Sequence, residues 1–89
     1  MNKEIKLIAR QKIGEHLAAI RKEKQISTYM LREDFGIRFE VIQAIEKGSK
    51  NYTIDNFLAY ISALDCYFYL ANKEGKHLDK ADLVEKSKA

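Results

Sequence analysis

Two glycines, Gly36 and Gly48, bracket the segment IRFEVIQAIEK. Each can adopt the left-handed backbone conformation that ends a helix and that other residues reach only with strain. Between them Ile42 and Ile45, with Val41 at the flank, recur at helical spacing, which predicts a helix from Phe39 to about Lys47. Ahead of it, Ser27 predicts the cap of another short helix whose buried stripe is Leu31 with Phe35 and whose stop is Gly36. Two short helices joined by a tight glycine turn therefore form the centre of the chain. The exposed face of the second falls to Phe39, Glu40, Gln43 and Ala44.

What flanks this pair is also helical. Ile5, Ile8, Ile13, Leu17 and Ile20 recur among lysines, arginines and glutamates, predicting one amphipathic helix from about Lys3 to Lys24. Gly14 interrupts it at a cost of about 1 kcal/mol relative to alanine, so it marks either a bend, splitting the helix in two, or a close helix contact. After the loop SKNY, Thr53 predicts the cap of a further helix with Ile54, Phe57, Leu58, Ile61 and Leu64 on one face. CYFYLA then changes the period to two, setting Cys66, Phe68 and Leu70 against Tyr67, Tyr69 and Ala71. That is a short strand, and its open edge needs a hairpin through KEGK to His77 and Leu78 or the same strand of another subunit.

With 89 residues and no proline, the chain suits one small helical domain without internal linkers. The divisions expected are a helical extension over 1–12, a central domain over 13–65, a strand or hairpin over 66–78 and a polar tail over 79–89. A single cysteine, Cys66, excludes a disulfide framework, and its alternation with Phe68 and Leu70 suits packing rather than reactivity. No apolar run has the length of a membrane span or the pattern of a signal peptide, so the expected location is cytoplasmic. His16 and His77 lack partners at metal-ligand spacing, and no nucleophile motif or glycine-rich phosphate loop occurs, so neither enzyme, metal nor cofactor is expected.

The net charge of +3 suits an anionic partner. Its distribution is uneven: Met1 to Ile26 holds seven Lys/Arg against three Glu, whereas Ser27 to Asn51 holds four of each sign. The same basic residues also serve as the solvated face that any amphipathic helix requires.

Ile13 to Leu64 resembles the lambda-repressor-like, or Xre-family, helix-turn-helix domain. The resemblance rests on IGEHLAAIRKEKQIS, the spacing from Leu31 through Gly36 to Ile42, IEKG at 45–48 and the closing FLAYISAL, and it covers about three-fifths of the chain. It implies an all-α, compact four- to five-helix domain, to which the period of CYFYLA adds a short C-terminal β-strand. It also implies a pairing of Arg21 with Glu46, and a third helix laid in the major groove while the second crosses the phosphate backbone. Carried over by position, Thr28 touches backbone or base, and Phe39, Glu40, Gln43 and Ala44 face the bases. Arg38, Lys47, Ser49, Lys50 and Asn51 surround that face, placed to meet phosphates. Three positions depart from the family. Arg32 replaces a small alanine, so that its stem snorkels out or the helix pair is splayed; Arg38 replaces the usual Ser/Thr cap; and Tyr52 replaces a common proline.

The function implied is sequence-specific DNA-binding transcriptional regulation on double-stranded DNA, by a homodimer with Tyr67 and Tyr69 at its seam. Phe39 and Glu40 fit such a helix through the thymine methyl and the cytosine amino group. The alternative is a helix-turn-helix protein-interaction module, antitoxin-like or an assembly partner, in which Phe39 anchors another protein and Glu40 repels phosphate. For Thr28 the other reading is a capping role, for Lys47 and Lys50 ordinary surface charge, and for the two tyrosines plain strand surface.

Overall fold

The computed structural model describes residues 2–67, 70–71 and 77–78. Helix α1 spans Lys3–Glu23, α2 Thr28–Glu33, α3 Phe39–Lys47 and α4 Ile54–Ala63. A two-residue antiparallel ladder follows, in which β1 (Leu70–Ala71) pairs with β2 (His77–Leu78), Leu70 opposite Leu78 and Ala71 opposite His77. Cys66 and Tyr67 lie in irregular chain after α4 rather than in the strand expected there. Phe68, Tyr69 and the polar tail fall outside the described residues.

Local chemistry sets the helix ends. Asn2, Ser27 and Thr53 accept hydrogen bonds from the backbone N–H groups of Ile5, Met30 and Asn56, at 2.9, 3.0 and 3.0 Å, so three helices start on a side-chain cap. Arg38 makes no such bond at the start of α3. Gly36 and Gly48 take φ of 68° and 65°. At the first, the Gly36 N–H donates to the Arg32 carbonyl and the Ile37 N–H to the Leu31 carbonyl, which folds the chain back behind α2. Because α2 ends at Glu33, Phe35 is carried onto the turn and is half exposed, not buried beside Leu31 as its spacing suggested. Ile37 takes the inward position instead.

Leu31, Ile42, Ile45, Tyr60 and Leu64 are the largest fully buried side chains and join α2, α3 and α4 into one core. Each aliphatic member contributes about 1.5–3 kcal/mol by leaving water. α1 packs chiefly on α3. Its contact face is Gly14, Leu17 and Arg21, and Gly14 resolves the choice left by the sequence: α1 is unbroken, and a methyl on Gly14 would run into the carbonyl oxygens of Ile45 and Glu46. The approach of the two helices requires a residue without a side chain.

Ile5, Ile8 and Ile13 were expected on the buried stripe and are instead exposed, because α1 extends past the core and meets it through the Gly14 face. On α4, Phe57, Ile61 and Leu64 are buried as their spacing suggests, whereas Ile54 and Leu58 are exposed. Tyr52 stacks on Phe57 with ring centroids 6.1 Å apart, tying the chain between α3 and α4 to α4. Lys24 Nζ donates to the Leu64 carbonyl at 2.6 Å, joining the end of α1 to the end of α4, where a cation is favourable.

Candidate functional site

The back of α3 is fixed by a charged cluster. Glu46, near the end of that helix, accepts from Arg21 of α1 through two bonds: Nε to Oε2 at 2.7 Å and Nη2 to Oε1 at 3.1 Å. A third Arg21 donor reaches the Ile26 carbonyl at 2.9 Å. Tyr60 of α4 donates its hydroxyl to Glu46 Oε2 at 2.5 Å. Only 8 % of Arg21 is exposed, and the buried charge is met by paired, fork-shaped hydrogen bonding. The hydrogen bond to Glu46 raises the Arg21 pKa above its ordinary value, and desolvation is the main cause raising that of the Tyr60 phenol. This cluster has no reacting group free; it orients α3.

The front of α3 is a narrow strip. Val41, Ile42, Ala44 and Ile45 are buried, leaving Phe39, Glu40 and Lys47 exposed and Gln43 half-buried between them. These four fall on one side of the helix at 39, 40, 43 and 47. Ala44, expected among the base-facing residues, is 6 % exposed, on the side of α3 nearer the segment leading into α4. There it lines a depression of about 410 Å³ with Arg38, Glu40, Lys50, Asn51 and Asn56.

Around the strip, Arg38, Ser49, Lys50 and Asn51 are exposed. The side-chain oxygen of Asn51 accepts from Arg10 of α1, so its amide N–H groups remain as the donors it can offer. Thr28 is half-buried in the first turn of α2, whose cap is supplied by Ser27, so capping does not account for Thr28. Phe39 is 47 % exposed and carries the Arg32 guanidinium over its ring, 5.8 Å from the centroid. The Arg32 stem therefore extends outward across the turn to Phe39.

No protein-family model, curated protein or solved structure matches this chain.

What the arrangement can do follows from its own chemistry. Among the described residues, no group of three or more His, Cys, Asp or Glu side chains is placed to hold a metal ion, and no helix is long and apolar enough to cross a membrane. The front of α3 offers one aromatic ring, one carboxylate and one amide, flanked by cations: groups for recognising a surface, including the edges of bases. Of the tyrosines expected at a dimer seam, Tyr67 is 84 % exposed after α4, and Tyr69 lies outside the described residues. Sequence reasoning missed two participants. Tyr60 stands one turn after Phe57 and one turn before Leu64, a spacing that marks it for the core. Arg32 meeting Phe39 had no such signal, because the contact spans the turn.

Proposed function

We propose that the protein is a sequence-specific DNA-binding regulator of the lambda-repressor-like helix-turn-helix type, with α2 and α3 as the two helices of the motif. The observation that carries this reading is the separation of the two sides of α3. Its back is tied to α1 and α4 through Glu46, and its front is a strip of Phe39, Glu40, Gln43 and Lys47 bordered by Arg38, Ser49, Lys50 and Asn51. A helix that enters the major groove needs such an orientation, with base-contacting groups in front and phosphate partners at its ends.

The aromatic ring and carboxylate fit this reading because each has a base partner: Phe39 the thymine methyl, and Glu40 the cytosine amino group. Arg32 and Arg38, with Glu33 on the same depression, leave the charge around Phe39 and Glu40 balanced rather than acidic, which moderates the repulsion between Glu40 and the DNA backbone. As a homodimer, the protein presents two copies of α3 to successive major grooves, ~34 Å apart, on a pseudo-palindromic operator.

A second reading is favoured by the turn between α2 and α3, where Phe35 and Phe39 are both about half exposed. In that reading the turn docks another protein, with Phe39 as the anchor. Fluorescence anisotropy on DNA from upstream of the gene and on a scrambled duplex, titrated across salt, separates the two. Specific binding with a steep salt slope supports the regulator. Failure on both duplexes at low salt, with folding verified by circular dichroism, supports the interaction module.

A further inference from the structure

The face of α1 that meets α3 through Gly14, Leu17 and Arg21 continues toward the N-terminus as Lys3, Lys6 and Arg10. Gly48 marks where the core ends: a methyl there would stand 2.6 Å from the Arg10 carbonyl carbon, so the loop after α3 lies against this turn of α1. Beyond it the helix overhangs, with every residue from Asn2 to Ile8 exposed. Here the cations are on the face turned toward Asn51, whereas Ile5 and Ile8 lie off that face and about half exposed.

Lys3, Lys6 and Arg10 line one depression of about 650 Å³ with Leu7, Ala9 and Asn51, and no carboxylate borders it. None of the three cations forms an ion pair among the described residues. Arg10 donates to Asn51, and its Nε is buried without a hydrogen-bond partner among the described residues. Asn51 also borders the depression beside α3, so this residue is common to both. Three like charges gathered without a counter-charge repel one another, and an anion in the depression relieves that repulsion.

From this geometry we infer that Lys3, Lys6, Arg10 and Asn51 form a phosphate clamp that carries DNA contact from the end of α3 along α1. Lys3 and Arg10 are separated by about 10 Å along the helix axis, enough to meet more than one phosphate of a strand. The ligand is the phosphodiester backbone, so the clamp adds affinity and no base preference. The inference rests on the DNA-binding reading above and extends its footprint to a part of the chain outside the helix-turn-helix resemblance.

The test compares the wild-type protein with Lys3→Gln/Lys6→Gln in salt-titrated anisotropy, on the preferred duplex and on a scrambled one. Both side chains are exposed, and circular dichroism checks that the fold is kept. Loss of two phosphate contacts flattens the slope of log K against log salt by about 1.8, so the wild-type advantage shrinks about 12-fold between 50 and 200 mM. The ratio of affinities for the two duplexes stays constant. An unchanged slope, with the wild type still binding specifically, overturns the clamp and leaves the DNA-binding reading standing. A change in the affinity ratio with no change in slope also overturns it, by assigning the lysines to base preference. If the wild type binds neither duplex at low salt, the DNA-binding reading fails and takes the clamp with it.

Discussion

Tyr60 of α4 and Arg21 of α1 donate to the same oxygen, Glu46 Oε2, at 2.5 and 2.7 Å. One carboxylate thereby joins α1, α3 and α4 at a point where the Arg21 and Glu46 side chains are about nine-tenths buried. Removing it strands a buried guanidinium and a buried phenol together. Glu46→Ala is therefore expected to lower stability by about 3 kcal/mol or more in chemical denaturation. Glu46→Gln keeps an acceptor oxygen and should lose less. A cost for Glu46→Ala below about 1 kcal/mol is the behaviour of an exposed pair and contradicts this role.

The same cluster makes stability depend on alkaline pH. Burial, reinforced by the hydrogen bond to Glu46, raises the Tyr60 pKa in the folded protein, whereas the unfolded chain ionises near the ordinary value of 10.0. Above that value the unfolded state has lost a proton that the native state retains, so unfolding becomes easier as pH rises. The contribution is fully present below pH 10 and is lost as pH climbs toward the raised folded value, at up to about 1.4 kcal/mol per pH unit. Tyr60→Phe removes the titrating group. Denaturation at several pH values from 8 to 11 should show a shallower decline above pH 10 in the variant, and parallel declines would assign the alkaline loss to other groups.

The elements were legible in the sequence because their signals are local. Ser27, Thr53, Gly36 and Gly48 act within a turn of their own position, and the bounds of α3 follow from them. Faces were less legible, because spacing identifies a stripe without saying what covers it. Ile5, Ile8 and Ile13 share a helical side that no described element covers, Ile54 and Leu58 flank the side of α4 that meets the core, and Ala44 is buried on α3 where it lines a depression with Lys50 and Asn56. Phe35 failed for a different reason: α2 stops after six residues, so a periodicity extended past Glu33 no longer describes a helix. The pairing of Arg21 with Glu46 came from the family resemblance. The third member, Tyr60, required the packing of α4 to bring it in.

Gly36 and Gly14 should differ in what an added methyl costs. In an exposed helix, Gly→Ala gains about 1 kcal/mol, but Gly14→Ala drives the methyl into backbone carbonyls of α3, which no side-chain rotation relieves. Gly14→Ala is expected to destabilise by about 2 kcal/mol or more. Gly36 has nothing within 4 Å of the position a methyl would occupy, so Gly36→Ala pays only for its φ of 68°, about 1–2 kcal/mol. Equal or reversed costs in urea titrations would show that the separation of α1 and α3 adjusts more freely than this packing implies.

Gln43 and Lys50 should part company on DNA. Gln43 is half-buried in the front strip of α3, between Glu40 and Lys47, and its amide both donates and accepts, which suits an adenine edge. Lys50 is an exposed cation in the loop beyond Gly48, beside Asn51, and suits a phosphate. Selection from a randomised duplex pool is the measurement that distinguishes them. Gln43→Ala is expected to relax preference at one base position, with a loss of about 1–3 kcal/mol on the preferred duplex and little on a mismatched one. Lys50→Ala is expected to leave the selected sequence unchanged, weaken all duplexes alike and flatten the salt slope by about 0.9. A uniform loss from Gln43→Ala removes it from base reading. The preference would then have to come from Phe39 and Glu40 at the start of α3, the two side chains whose chemistry is least suited to a polyanion and most dependent on the identity of the base beside them.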